Sequence, residues 1–262
     1  MSLFSHKRSF GWLGPAAAGL LVPAALGTVW YVAASNGWLP DQLLPAPDMV
    51  WSTLMENAAS GDLWTNTAIS LQRVFAGFAF GAVAGLAFGG VLGLSRTMRE
   101  LLDPLFLFLA QVPPLGWIPL LILLLGVDES MKVTVIAWAS FVPVVLNAAE
   151  GIRDVPEPMR ELGRVLTFDP WYMLICVIIP SAVPSIFTGL REGLANAWQT
   201  MVAAELFAST EGLGYLVSYG RQLFQLDLVL AMVVVLGIVG LTVNGALAML
   251  ERFLLRWQAH AS

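Results

Sequence analysis

Long apolar runs are the feature that most constrains this chain. Six stretches, at about 13–35, 66–94, 104–126, 131–150, 182–208 and 228–252, are each long enough to cross a bilayer. A crossing takes roughly 20 residues at 1.5 Å of rise per residue. Inside hydrocarbon every backbone N–H and C=O must find a partner within the segment or within a closed barrel. The strict alternation of a barrel strand is absent here. The predicted fold is all-α, a polytopic membrane protein with about six transmembrane helices. Charged residues make up 12% of the chain, against about 25% in a soluble domain, so the lipid bilayer is the first partner the composition demands. No basic patch suits nucleic acid. Two histidines and one cysteine exclude a disulfide framework and a Cys/His metal cluster.

Residues 1–262 read as one transmembrane domain. It comprises an N-terminal helix at 13–35, an outer amphipathic segment at 36–65 and core helices over 66–252, with a cytoplasmic loop at 151–180. His6, Lys7 and Arg8 precede a first run ending VAAS, which looks like a signal peptide. Signal cores are usually about 7–15 residues, and this run is longer, so a retained helix is expected. Nine of the thirteen Lys and Arg fall in alternate loops: Lys7, Arg8, Arg96, Arg99, Arg153, Arg160, Arg164, Arg252 and Arg256. Positive charge marks the cytoplasmic side, which places both termini and residues 151–180 there. Arg221 falls in an outer loop, and Arg73 and Lys132 at helix margins. The outer segment carries Asp41, Asp48, Glu56 and Asp62 with no Lys or Arg, and its PAPDMVWSTLMENAA reads as a proline-started amphipathic helix.

Three spans carry internal patterns. In the second, Gly77, Gly81, Gly85, Gly89 and Gly93 recur every four residues and share one helix face. Such a groove admits another helix closely, either within the subunit or from a second copy. In the third, Gln111 stands beside Pro113, Pro114 and Pro119. Proline removes a donor and kinks a helix, so this is a pathway wall or an architectural kink. In the fifth, Thr188, Glu192, Asn196 and Gln199 lie on one face, with Arg191 beside them. Polar groups facing lipid are costly. The stripe therefore lines a translocation pathway, with Gln111 and Asn147 as secondary members, or makes hydrogen bonds between helices.

No enzyme motif is present. There is no GxSxG, no HExxH and no phosphate loop, and the only lysines, Lys7 and Lys132, follow no glycine loop. His6 and His260 lie near the two termini. If ATP drives this protein, another chain binds it. The longest charged interval between apolar runs, GIRDVPEPMRELGRVLTFDPWYMLICVIIPSAVP at 151–184, presents a helix-forming segment to a soluble partner.

Residues 161–180 resemble the EAA loop of ATP-binding-cassette importer permeases. Glu161, Leu162 and Gly163 stand for E-A-A, Thr167 for the following glycine, Val177 for the isoleucine, and Ile179 precedes Pro180. The alternative anchoring on Glu157 and Gly163 leaves the proline four residues late. The stretches LPAPDMVWSTL, QVPPLGWIPLLILLLGVDESMKV, IIPSAVPSIFTGLREGLANAWQTMVAAELFASTEGLGYLV and LERFLLRW look like the sulfonate, taurine and nitrate branch of these permeases. The likeness is nearest to aliphatic sulfonate permeases. It implies the type I importer fold in the bacterial inner membrane and a second copy of the chain. It also implies two separate ATPase subunits that hold ATP and magnesium, and a periplasmic substrate-binding protein. No cofactor is implied in this chain. The implied ATPase-coupling residues are Arg160, Glu161, Leu162, Gly163, Arg164, Thr167 and Pro180. The competing reading, an ion-coupled secondary transporter, needs ionisable residues in several spans. The clear ones, Arg191, Glu192 and Glu205, sit in the fifth alone.

Overall fold

The computed structural model describes residues 15–254 apart from 39, 41 and 42, with side chains from residue 21 onward. Lys7, Arg8, Arg256, His6, His260 and Asp41 lie outside the described residues. Among the described residues every regular element is helical: α1 Pro15–Ser35, α2 Pro47–Ser60, α3 Asp62–Leu94, α4 Arg96–Ala110, α5 Ile118–Leu125, α6 Glu129–Arg153, α7 Glu157–Val165, α8 Pro170–Met173, α9 Ile179–Ala208, α10 Leu213–Gln222 and α11 Leu226–Leu254. A 3-10 turn, Pro114–Trp117, precedes α5, and a π turn, Leu174–Ile178, joins α8 to α9.

Four helical runs are long and apolar enough to cross a membrane: Asp62–Leu94, Glu129–Arg153, Pro170–Ala208 and Leu226–Leu254. They realise the second, fourth, fifth and sixth expected spans. The third is not one helix. Its halves, Arg96–Ala110 and Pro114–Leu125, meet at 86°, so the chain breaks where a kink was expected. Two consecutive prolines explain this. A residue before proline is pushed out of the helical region, and Pro113 sits at φ −54°, ψ 142°. The expected first span begins outside the described residues. Its described apolar part, Leu21–Ser35, is shorter than a full crossing. The outer segment 36–65 gives up its end to α3, which starts at Asp62 rather than near 66. Within that segment α2 starts at Pro47 as the sequence suggested, and the Thr53 hydroxyl donates to Asp227 of α11 at 2.6 Å.

The core is a layered trio, α3–α6–α9. In the crossing window of α6, 61% of residues are buried, against 33% or fewer in the other three runs. Glycines allow this on both sides. A methyl at Gly77 would lie 2.5 Å from Ile136, at Gly85 2.9 Å from Val144, at Gly89 2.8 Å from the Val145 carbonyl oxygen and at Gly93 2.8 Å from Ile152. At Gly81 it would run into the Ala137 carbonyl and Ser140. The two helices run parallel in steps of four residues, so the glycine groove serves packing inside one subunit. From the other side, Gly189 and Gly193 of α9 press on Asn147, Pro143 and Ser140 of α6. Gly240 of α11 takes the indole of Trp198. A second cluster, Leu92, Phe106, Val145 and Ala149, holds α4 against the inner end of this trio.

This packing gives a direct expectation. Gly81→Leu should destabilise the protein by about 3 kcal/mol, the upper end for overpacking against a backbone that cannot yield. Gly90, where an added methyl meets nothing within 4 Å, should accept leucine with little change. Thermal unfolding of the two variants in detergent separates them. Equal midpoints would contradict the groove's role.

Candidate functional site

α9 has two faces. Gly189, Gly193, Ala197 and Thr200 are buried on α6 and α11, while Thr188, Glu192, Asn196 and Gln199 are exposed. The polar stripe expected from the sequence therefore points away from the subunit's own core. It opens into two hollows. One, of about 360 Å³, is lined by Thr188, Arg191, Glu192, Ala195 and Asn244. The other, of about 230 Å³, is lined by Asn196, Gln199 and Thr200 against Pro113, Pro114 and Leu115 at the broken third span.

Helix geometry puts the first hollow at one depth. Asn147 is 18 residues along α6 and Asn244 is 18 along α11, while Glu192 is 16 residues back from the end of α9. At 1.5 Å per residue these are all roughly 24–27 Å from the same end of the bundle. The Asn147 amide donates to Glu192 at 3.0 Å and to the Pro143 carbonyl at 2.9 Å. Arg191 donates to Glu251 of α11 at 3.1 Å. The structure thus joins Asn147, Thr188, Arg191 and Glu192, and separately brings Asn196 and Gln199 to the proline break. Gln111 ends α4 as its C-cap and lines neither hollow. Asn244 and Glu251 were not anticipated. Glu251 lies 60 residues from Arg191, and only its place in a terminal LERFLLRW was visible.

At the opposite end lies a buried charge cluster. Arg73, read from the sequence as a helix-margin residue, is 3% exposed. It donates to Glu205 at 2.7 Å, to Glu129 through Nε at 2.7 Å, and to the Glu211 carbonyl at 2.8 Å. Glu205 also accepts from Ser70 and from the Gly214 N–H, each at 2.9 Å. Lys132, also placed at a margin from the sequence, is buried and donates to Glu129 at 2.7 Å. The cluster ties α3, α6, α9 and the turn before α10 together, with its buried charges paired, as burial at membrane depth requires.

The segment 151–180 holds more helix than expected. α6 runs to Arg153, and α7 is a separate nine-residue helix. Arg160 closes the end of α6 by donating to the Ile152 and Arg153 carbonyls at 2.9 and 3.0 Å. Arg164 pairs with Glu157 along α7 at 3.2 Å. Glu161 and Leu162 are exposed. Gly163 is buried against its own chain: a methyl there would meet Met173 Sδ at 2.8 Å, so its small size is used inside the subunit. Pro180 is not the boundary it was expected to be. It sits inside the continuous run Pro170–Ala208, just after the π turn. Proline lacks the N–H that closes an α turn and crowds the carbonyl four residues back, and a widened turn relieves both. The lever's end is instead Asp169, whose carboxylate caps the Tyr172 N–H at 2.8 Å, followed by Pro170.

Thr167 stands where the loop pattern has glycine. It adopts φ +54°, the left-handed conformation that ends helices and that β-branched residues avoid. Phe168 N–H donates to the Gly163 carbonyl and Thr167 N–H to the Arg164 carbonyl, both at 3.0 Å. These are the two bonds of a Schellman ending. The turn is therefore as sharp as a glycine would make it, and the chosen anchoring of the loop agrees with it. Thr167→Gly should relieve strain of about 1–2 kcal/mol, partly offset by unfolded-state entropy. Slower amide exchange at Phe168 is the expected readout, and faster exchange would count against it.

Comparison with known proteins agrees with this geometry. Residues 77–256 match the family described as binding-protein-dependent transport system inner membrane component. A protein of Escherichia coli (strain K12) that carries the name aliphatic sulfonates transport permease protein SsuC is 39% identical over 236 residues, 90% of each chain. The taurine transport system permease protein TauC of the same organism is 33% identical, over 96% of this chain and 95% of that one. The bicarbonate transport system permease protein CmpB of Synechococcus elongatus is 33% identical, over 91% and 90%. Among solved structures, a chain of the MetNI methionine ABC transporter, in inward-facing conformations, superposes with a TM-score of 0.61 at 18% identity. That match covers 70% of this chain and 91% of that one and bears on the fold. The chain belongs to the binding-protein-dependent transport system inner membrane components and is a non-catalytic, multi-pass permease subunit of an ABC importer.

Proposed function

We propose that this chain forms the translocation path for a small oxyanion, foremost an aliphatic sulfonate, with taurine, nitrate or bicarbonate as the nearest alternatives. Two copies pair in the inner membrane. Two separate ATPase subunits hold ATP and magnesium and dock on α7. A periplasmic binding protein delivers the cargo. Both termini face the cytoplasm, because Arg96, Arg99, Arg153, Arg160, Arg164 and Arg252 gather at one end of the bundle.

The observation that carries this reading is the outward polar face of α9. Thr188, Glu192, Asn196 and Gln199 are exposed in the single subunit on a helix of membrane-crossing length. Lipid does not tolerate such a stripe, so a second copy and a water-filled path between the two must cover it. The relatives' names supply the cargo class. The deciding experiment is co-expression with the neighbouring genes and purification. A co-purifying ATPase stimulated by a sulfonate-loaded binding protein is the expected result. A chain that purifies alone and transports on an ion gradient would sink the proposal.

A further inference from the structure

The inner hollow carries a charge pattern unlike one built for a bare anion. Its one cation, Arg191, is already paired with Glu251 at 3.1 Å. Glu192 is held only by the neutral amide of Asn147 at 3.0 Å. The charged groups that line or reach the hollow therefore leave one carboxylate in excess. A second copy would bring the same charges and keep the same sign. At membrane depth an uncompensated carboxylate is costly, and it repels an anion that has no other feature. The volume, about 360 Å³, lies within the range of clefts that hold small molecules. Thr188 and Asn244 add polar groups to the wall.

Building on the importer reading above, we infer that the cargo carries a cationic group as well as its oxyanion, as an ω-amino sulfonate does, with Glu192 receiving the ammonium and Arg191 the sulfonate. Glu251 then acts as the occupant of Arg191 between passages. The sulfonate displaces it on entry and it returns on exit, which keeps binding weak enough for release. Glu192 is a specificity-determining residue in this scheme, because it opposes bare anions and favours zwitterions.

The test compares 2-aminoethanesulfonate with ethanesulfonate, which lacks only the amine. Uptake of both is measured in liposomes holding the full complex and one unchanged binding protein, whose own preference cancels in the ratio between variants. Glu192→Gln keeps an acceptor for Asn147. It should lower the amine-to-no-amine uptake ratio about tenfold, the loss expected when a charged contact becomes a neutral one. Glu192→Asp should restore most of the ratio. Glu251→Gln should shift it the same way as Glu192→Gln by improving ethanesulfonate uptake. An unchanged ratio in Glu192→Gln, including one in which both rates fall equally, overturns the inference and leaves the importer reading standing. A wild-type complex that carries ethanesulfonate but not its amine overturns it as well. A complex that takes up neither sulfonate, nitrate nor bicarbonate removes the importer reading itself, and the inference with it.

Discussion

Glu205→Ala is expected to cost about 3 kcal/mol of stability, the largest loss for any single polar side chain in this protein. Glu205 is fully buried and Arg73 is 3% exposed. Removing one partner of a buried pair leaves an uncompensated charge, which typically costs about 3–5 kcal/mol. The lower end applies because Arg73 retains Glu129 on its other edge. Three further groups lose their acceptor or their orientation. The Gly214 N–H and the Ser70 hydroxyl both donate to Glu205, and Ser70 in turn accepts from the Leu213 N–H at 2.9 Å. The turn before α10 should loosen first, because Asn66, Ser70, Arg73 and Glu205 of α3 and α9 are what hold it. Glu205→Gln keeps the shape and loses the charge, so it should fall between wild type and alanine. Replacing Arg73 and Glu205 together with methionine should recover part of the loss, as apolar replacement of buried pairs often does. Thermal unfolding in detergent, with exchange at Leu213 and Gly214, reads all four proteins. An alanine variant as stable as wild type would show that the cluster is solvated and its pairing incidental.

That cluster was the part of the molecule least legible in the sequence. The spans were legible because hydrophobic length is a local property. The glycine groove was legible as a groove, since a four-residue repeat fixes a face whatever lies opposite it. Its partner was not, because α6 could be named only once Ile136, Ser140 and Val144 were seen against it. Arg73 was misplaced for a related reason. Starting α3 at Asp62 rather than 66 carries the arginine a full turn deeper, and its partners lie 56 and 132 residues away. The third span shows the reverse case. The prolines announced a disruption, and only the extended ψ at Pro113 turned a kink into a break. On α9 the stripe was read correctly as a stripe. Its division into two hollows depends on Asn244 from one element and Pro113–Leu115 from another, which spacing within one helix does not reveal.

Leu162→Asp is expected to reduce uptake about thirtyfold while leaving insertion intact. α7 offers an exposed apolar surface of Met159, Leu162 and Val165, which are 53%, 58% and 79% exposed. Beneath it lies a hollow of about 660 Å³ bounded by Leu162, Gly163, Leu166, Phe168 and Tyr172. Apolar side chains on a helix that projects past the bilayer need a partner. The crossing run Pro170–Ala208 has 39 residues, roughly 58 Å at 1.5 Å each, well beyond the roughly 30 Å of hydrocarbon. If an ATPase docks there, Leu162 is placed to be one of the few residues that carry most of the contact. Losing one such residue typically costs about 2 kcal/mol, or thirtyfold. Gly163→Trp attacks the same joint from inside. No indole fits between α7 and Met173, so α7 is forced off the long helix that it must move. That variant should abolish uptake and leave residual ATP hydrolysis uncoupled. Gly163→Ala should be mild, because the nearest atoms belong to the flexible end of Met173. Membrane-fraction yield, ATPase co-purification and uptake together distinguish these outcomes. Normal uptake in Gly163→Trp, or full ATPase retention in Leu162→Asp, would place the coupling surface elsewhere in the chain.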